Sequence, residues 1–256
     1  QLANGAGNVS PPGETTRIVV VTRGPRAAFY LNDTPVAYFE EADFDTSGNT
    51  LLWCMSSGQA MCEFDNVQFW NLDNVPGLLL PLPSVIATPG SKADQIRALA
   101  EPILKAIADK PPDYQDDFSD PKSGWWQTGP ESIGRSGYAD GEFSMVTNLP
   151  PLSPGWQCNA ATGPWPKLTD FVLEADMRLV SSGKQASSQL QFRVWDRPIQ
   201  EQGGAYVLTF DGEGFGVMRC YDKDCPNLSN YSGSAVKRGT EWNRIQIVAR
   251  GAKVAI

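Results

Sequence analysis

The hydropathy pattern up to Leu72 is that of short β-strands separated by turns. The stretches "RIVVVTRG", "AAFYLNDTPVAYF", "TLLWCM" and "CEFDNVQFWNL" alternate apolar with polar or small residues and are rich in β-branched and aromatic side chains. The turn "LNDTP" between "AAFY" and "VAYF" is typical of a hairpin. The pattern therefore predicts antiparallel strands with one face towards solvent, and no helix in this part of the chain.

The pattern changes between residues 73 and 113. "NVPGLLLPLPSVIATPG" is too rich in proline for a central strand and predicts an extended connector. In "SKADQIRALAEPILKAIADKPP", Ser91 and Asp94 are spaced as a helix N-cap and its capping acid, and Pro102 should kink or split the helix. Apolar residues recur there at helical spacing: Ile96, Leu99, Ile103, Leu104 and Ile107. This helix either pads a linker or docks its apolar stripe on a partner.

The β pattern returns at Tyr114 and continues to the last residue. It includes "GEFSMV", "DFVLEADMRLV", "SQLQFRVWD", "AYVLTF", "GFGVMRC" and "NRIQIVAR". Short strands separated by Gly, Pro, Asn and Asp turns favour a β-sandwich or jelly roll over a parallel α/β sheet.

One strand of the chain is duplicated. "ETTRIVVVTRGPRAAF" (Glu14–Phe29) and "EWNRIQIVARGAKVAI" (Glu241–Ile256) align at an offset of 241 − 14 = 227, with seven of sixteen positions identical. The flanking segments "QLANGAGNVSPPGE" and "NLSNYSGSAVKRGTE" are also alike. The sequence therefore contains one repeat unit of 227 residues plus a short overlap.

Several stretches of the second half carry a family resemblance. "DDFSDPKSGWW", "DFVLEADMRLV", "FRVWD" and "NRIQIVARGAKVAI" resemble bacterial concanavalin A-like jelly-roll domains, in the branch with laminin-G-like and keto-disaccharide-hydrolase-like modules. "TRIVVV" through "CEFDNVQFWNL" resembles the end of such a domain. The resemblance implies an all-β, concanavalin A-like antiparallel β-sandwich with one linker helix, present as an out-of-phase tandem repeat.

The order of these stretches implies three segments. Residues 1–72 would be the C-terminal strands of one jelly roll, 73–113 a Pro-rich linker with an amphipathic helix, and 114–256 the N-terminal strands of a second. A jelly roll without its last strands exposes apolar surface and unpaired backbone, and each unsatisfied buried group costs about 1–3 kcal/mol.

Three arrangements would make such halves whole. The chain is a window on a longer tandem protein, or residues 27–72 complete 114–256 in cis, or they complete a neighbouring copy in trans and give a head-to-tail polymer. In the cis arrangement, the two copies of the duplicated strand compete for one position.

Charge and composition exclude several functions. The chain has 21 basic and 29 acidic residues, a net charge of −8, so we expect neither nucleic acid nor an anionic membrane as partner. It contains no histidine, which removes the usual general base and the commonest metal ligand. No run approaches the ~20 apolar residues of a membrane span.

The spacing of the five cysteines predicts disulfides, which would point to an oxidising compartment. Cys54 and Cys62 flank one polar turn, and Cys220 and Cys225 flank another. Their spacing predicts two hairpin-stapling disulfides, with free buried thiols as the alternative; Cys158 has no evident partner. Four Asn-x-Ser/Thr sequons agree with an extracellular or cell-surface location: they begin at Asn8, Asn32, Asn227 and Asn230.

The stretch "LEADMRLV" is the strongest enzymatic candidate. Laminarinase-like glucanases of this fold use a Glu-x-Asp-x-x-Glu or Glu-x-Asp-x-Glu strand, and alternation places Glu174, Asp176 and position 178 on one face. Position 178 is arginine and 179 is leucine, so the last carboxylate is missing. We expect no retaining glycosidase activity, and an ordinary strand in which Glu174 and Asp176 pair with basic neighbours such as Arg178.

Two acidic groups are weak metal candidates. The first, in "DFDTSGN", imitates the start of a calcium loop and comprises Asp43, Asp45, Ser47 and Gly48. Its twelfth position is Cys54 and not the closing glutamate. The second comprises Asp65, Asp116 and Asp117. No metal site is assigned, and calcium is the one cofactor that the sequence leaves open.

Tryptophan suggests a saccharide platform. Aromatic faces stack on sugar rings, although core packing explains tryptophan in strands equally well. The candidates are Trp156, Trp165, Trp195 and Arg193, the last two because "FRVWDRP" ends a strand.

Two functional hypotheses follow. The first is a non-enzymatic extracellular structural or adhesive β-sandwich repeat, whose partners are copies of itself in a head-to-tail filament held by strand complementation. The alternative is a carbohydrate-binding module of a cell-surface or secreted protein, with polysaccharide as partner. A sugar hydrolase would need carboxylates that the sequence does not supply.

Overall fold

The computed structural model of this chain shows an all-β sandwich built from fifteen strands among the described residues. The structure describes residues 16–23, 26–31, 34–40, 49–75, 101–128, 134–148, 157–164, 167, 170–182, 186–194, 204–210, 214–221, 224–225, 227–232 and 242–249. The predicted fold class is therefore confirmed, while its identity as a jelly roll stays a prediction.

The strands follow the alternating segments of the sequence. Those before the linker are β1 (Thr16–Arg23), β2 (Arg26–Leu31), β3 (Thr34–Glu40), β4 (Asn49–Ser56) and β5 (Gln59–Asn71), which a 3₁₀ turn follows at Leu72–Asn74. Those after it are β6 (Tyr114–Asp116), β7 (Gly134–Ala139), β8 (Glu142–Asn148), β9 (Gln157–Thr162), β10 (Phe171–Ser182), β11 (Ala186–Val194), β12 (Gly204–Phe210), β13 (Gly214–Tyr221), β14 (Asn227–Ser232) and β15 (Asn243–Ala249).

The strands form two sheets. The nine-stranded sheet has the order β3-β2-β1-β15-β10-β5-β8-β7, with β6 also paired to β5, and the six-stranded sheet has the order β14-β13-β12-β11-β4-β9. Among the described pairs only β1 and β15 run parallel. Alternate residues face the core because side chains repeat every two residues along a strand, and β4 alternates between half-buried and buried throughout its length.

An aromatic core fills the space between the sheets. Phe64, Phe143 and Phe171 come from the nine-stranded sheet, and Phe192 and Tyr206 come from the six-stranded sheet; all are 0–1% exposed. The rings of Phe192 and Tyr206 stack with their centroids 5.6 Å apart. The core thus contains residues from both sides of the linker.

The first segment enters the middle of both sheets. β4 lies between β11 and β9, and β5 lies between β10 and β8. This is the arrangement in which the strands before the linker complete those after it within one chain. The boundaries 1–72 and 114–256 consequently do not separate two sandwiches here, and their assignment to successive repeat units stays a prediction.

The duplicated strand lies beside its own copy. β1 pairs with β15 in parallel, from Thr16 opposite Asn243 to Val21 opposite Val248. Every pair joins positions 243 − 16 = 227 residues apart, which is the offset of the sequence repeat. The two copies occupy adjacent positions in one sheet.

The end of the linker is hydrogen-bonded to the end of β5, the strand that precedes it. The Trp70 indole N–H donates to the carbonyl of Lys110 at 2.9 Å, and the Asn71 backbone N–H donates to the Asp113 carboxylate at 2.8 Å. Residues 101–107 are helical, with Ile103 and Ile107 buried. Burial of Ile103 and Ile107 against the rest of this chain favours a helix that belongs to the linker over one that docks on a partner. Residues 76–100, which include Ser91, Asp94, Ile96 and Leu99, lie outside the described part.

Candidate functional site

The inserted segment β4–β5 contains the first disulfide. Cys54 and Cys62 are bonded, as predicted, with their Cα atoms 5.9 Å apart, and both are fully buried. The predicted hairpin staple is wrong in its placement, because β4 and β5 belong to different sheets. Residues Ser57 and Gly58 form an arch from one sheet to the other, and the disulfide joins the two sheets through the core.

The second disulfide does staple a hairpin. Cys220 lies near the end of β13, which pairs antiparallel with β14, and it is bonded to Cys225 in the turn between the two strands. Cys220 is buried, whereas Cys225 is exposed. The cysteine spacing therefore predicted both pairings correctly.

One arginine holds the inserted strand β5 between its neighbours. Arg178 of β10 donates from Nε to Glu63 of β5 at 2.7 Å and from Nη2 to Glu142 of β8 at 3.0 Å. Its guanidinium lies 4.3 Å from the ring centroid of Trp242. We call Arg178, Glu63 and Glu142 the clasp. The clasp crosses three adjacent strands, so it ties β5 to both sides of its slot.

Burial and charge shift the pKa of one member of the clasp, Glu142. Burial, together with the negative charge of Glu63, raises the pKa of Glu142, and the charge of Arg178 opposes that rise. The single positive charge of Arg178 cannot balance the negative charges of both carboxylates. A proton on Glu142 is therefore favoured by the folded state.

The partners of Arg178 differ from those expected. The sequence predicted pairing with Glu174 and Asp176, but the salt bridges among the described residues join Arg178 to Glu63 and Glu142. Asp176 instead accepts from the Asn66 amide at 3.0 Å. Asn66 has φ 49° and stands where β5 carries an extra residue opposite β10, so the amide fixes a β-bulge.

Asp116 is the centre of a structural network and does not join Asp65. Buried Asp116 accepts from the Phe118 backbone N–H at 2.8 Å and from the Trp125 indole N–H at 2.9 Å, and Tyr114 and Ser123 also donate to it. Burial, followed by the charge of Asp116, raises the pKa of Tyr114. The network fixes "YQDDFSDPKSGWW" against the core.

The second predicted metal group, Asp65, Asp116 and Asp117, is not assembled in the described part of the chain. There, no group of three or more His, Cys, Asp or Glu residues is arranged to hold a metal ion. Asp65 hydrogen-bonds within the Asn66 bulge, whereas Asp116 faces the core. The calcium-like stretch from Asp43 to Gly48 lies outside the described residues.

The predicted sugar-binding residues lie mostly beyond what the structure describes. Trp156, Trp165 and Trp195 are outside the described residues, and Arg193 is placed only by its backbone, near the end of β11. Trp125 is buried in the Asp116 network, and Trp126 is 59% exposed. The saccharide platform stays a prediction.

A polar row on β11 was missed by the sequence analysis. Ser187, Gln189 and Gln191 alternate with the core residues of β11, yet they are only 6%, 3% and 2% exposed. The Gln191 amide donates to Gln189 Oε1 at 3.2 Å, and the Gln189 amide donates to Ser187 Oγ at 3.2 Å. The alternation of polar and apolar residues in "SSQLQF" is present in the sequence, but alternation alone indicates that the polar face is solvated.

One atom of this row and one atom beside it have unmet hydrogen-bonding capacity. In the described part of the chain, Gln191 Oε1 and Trp53 Nε1 are buried without a hydrogen-bond partner. Trp53 of β4 lies directly opposite Gln189 in the pairing of β4 with β11. One acceptor and one donor on the outer face of the six-stranded sheet are thus buried and unpaired.

Comparison of the sequence with known protein families and with curated proteins finds no match. Among the described residues, no helix is long and apolar enough to cross a membrane.

Proposed function

We propose that this chain is a non-enzymatic structural or adhesive β-sandwich repeat of the extracellular space, whose copies complete one another by strand donation. One observation carries the proposal. β4 is hydrogen-bonded to a strand on each side in the six-stranded sheet, and β5 is hydrogen-bonded to a strand on each side in the nine-stranded sheet. These neighbours, β9 and β11 for β4 and β8 and β10 for β5, all come after the linker in the sequence. A sandwich of residues 114–249 without them would lose a central strand from each sheet.

The contacts of the inserted segment are the same whichever copy supplies it. The clasp, the Asn66 bulge and the pairing of β5 with β6 all join residues before the linker to residues after it. The linker from 75 to 110 spans 110 − 75 = 35 residues, which reach roughly 100 Å when extended. Exchange of an identical element between copies needs no new surface, so a head-to-tail chain can form.

The first disulfide supports donation of β4–β5 as a unit. It closes a loop inside the inserted segment, so it travels with that segment and does not lock it to either copy. Two disulfides in the fold also agree with an oxidising, extracellular location.

An engineered crosslink tests which copy supplies β5. Met61 of β5 and Val146 of β8 are directly opposed and half-buried, at a spacing that a disulfide can bridge. We expect M61C/V146C, in a Cys158→Ser background, to give a covalent ladder on non-reducing gels after assembly. The single variants M61C and V146C are the matched controls and should give no ladder.

Electron microscopy provides the second readout. Head-to-tail filaments should be visible in negative stain and persist at high salt, because apolar strand pairing is not screened. Crosslinked monomers alone, together with discrete particles in the images, would refute donation between copies.

The polar row supports a second candidate, a carbohydrate-binding module. Buried polar groups nearly always have partners, so the unpaired Gln191 Oε1 and Trp53 Nε1 favour a bound hydroxyl-rich ligand. The row lies on the same strand as Arg193, the residue that the sequence singled out.

A glycan array separates the two candidates. Binding through this face requires that Q191L and W53F each reduce glycan retention at least tenfold, whereas W126A on an exposed tryptophan leaves it unchanged. W195A tests in the same assay the tryptophan that the sequence singled out. Absence of any ligand at millimolar concentration would leave the structural candidate alone.

A further inference from the structure

The two edges of β10 are occupied by strands of different origin. On one side β10 pairs with the inserted strand β5, and on the other it pairs with β15. β15 is a copy of β1, and β1 belongs to the same segment as β5. A donated segment therefore carries one strand for each edge of β10.

The register of β10 with β15 shows which residue types stand opposite each position of β10 on this edge. Positions 245 and 247 of β15 stand opposite the core residues Ala175 and Leu173, and position 244 stands opposite buried Asp176. At 245 and 247 the residue is isoleucine, and at 244 it is arginine.

The copy β1 meets the same requirements. Subtracting 227 from these positions gives Ile18, Val20 and Arg17. An apolar β-branched residue is kept opposite each core position, and arginine is kept opposite Asp176. The sequence of β1 is thus suited to the edge of β10 in the register that β15 now uses.

We propose that β1 from a second copy of this chain takes the place of β15 on β10, so that the duplicated strand is the exchangeable joint of the assembly. This inference rests on the proposed strand donation and names its second contact. The incoming β5 binds one edge of β10 and the incoming β1 binds the other. β1 then exchanges its parallel contact with β15 for an antiparallel one with β10, and β15 gives up its own antiparallel pairing with β10.

A second engineered disulfide tests the exchange. Val19 stands next to Gln246, which stands next to Glu174, so Val19 and Glu174 are two strand spacings apart, roughly 10 Å. A disulfide cannot bridge that distance. V19C/E174C can therefore crosslink only after β1 has replaced β15, whereas the matched control Q246C/E174C joins strands that are already adjacent.

Chains with two different mass tags are mixed, assembled and oxidised in a Cys158→Ser background. We expect V19C/E174C to give products that contain both tags, at a yield within about threefold of M61C/V146C. No V19C/E174C product under conditions where Q246C/E174C is crosslinked overturns the inference, and so does a product confined to one chain. A ladder from M61C/V146C without one from V19C/E174C leaves the proposed function standing; no ladder from M61C/V146C removes the proposed function itself.

Discussion

At the scale of single residues, the clasp decides how firmly β5 is held. Arg178 of β10 binds two carboxylates on the next two strands in the sheet order, Glu63 on the inserted strand β5 and Glu142 on β8. The side chain of Glu63 is only 9% exposed, so it depends on Arg178 for compensation of its charge. The clasp therefore stabilises β5, and its ion pairs form only when β5 lies between β10 and β8.

Removing the arginine should weaken the fold. R178M leaves Glu63 as a poorly solvated carboxylate without its cation, and we expect the free energy of unfolding to fall by about 1–3 kcal/mol. Urea denaturation at neutral pH measures the change. The triple variant R178M/E63Q/E142Q should recover part of the loss; if R178M alone is as stable as the native chain, the clasp contributes nothing.

The clasp also predicts a pH dependence. The pKa of Glu142 is raised in the folded state, so its contribution to stability is fully present below the unfolded pKa and is lost as pH rises through the folded value. The native chain should thus lose stability relative to E142Q between pH 4 and pH 7. Parallel urea titrations of the two proteins at both pH values check the sign, and an unchanged difference would contradict the assignment.

Residue identity alone did not predict these partners. Glu174 and Asp176 are neighbours of Arg178 along one face of a strand, yet its partners are Glu63, directly across on β5, and Glu142, one strand further on β8. Which strand lies across is a property of the sheet order, which local alternation does not contain. The same holds for Gln189 and Gln191, whose burial depends on what covers their face.

At the scale of elements, the β4–β5 arch is the unit that joins the two sheets. The spacing of Cys54 and Cys62 was enough to predict the disulfide, because few residues separate the two. It was not enough to distinguish a hairpin from an arch, since both place two strands on either side of a short turn. The long-range pairing of β4 with β11 and of β5 with β10 makes it an arch.

The two disulfides should differ in reactivity towards reductant. Cys54 and Cys62 are fully buried, whereas Cys225 is exposed. Mild dithiothreitol under native conditions should reduce Cys220–Cys225 first, as read by alkylation and mass spectrometry. Equal rates of reduction would show that the arch opens readily.

Loss of the arch disulfide should be costly. Removing Cys54–Cys62 as C54A/C62A should lower the free energy of unfolding by about 2–3 kcal/mol, because the unfolded segment regains its freedom. The urea midpoint of this variant, compared with that of C220A/C225A, measures the difference. A smaller effect for the buried pair than for the exposed pair would contradict a stapling role.

At the scale of the whole molecule, the strand segments and fold class were predictable from alternation and turns, because these are local signals. The sandwich order was not, because β1 and β15 have similar sequences and the alternation pattern does not say which neighbouring strand each one takes. Their parallel pairing at the repeat offset is the feature that only the structure supplies.

The central claim is that β5, between β8 and β10, is supplied by another copy in the assembled state. Cryo-electron microscopy of the filaments tests it most directly, by tracing the chain from Asn71 to Asp113. The account predicts that this connection crosses from one subunit to the next. A connection that returns to β6 of the same subunit would contradict it.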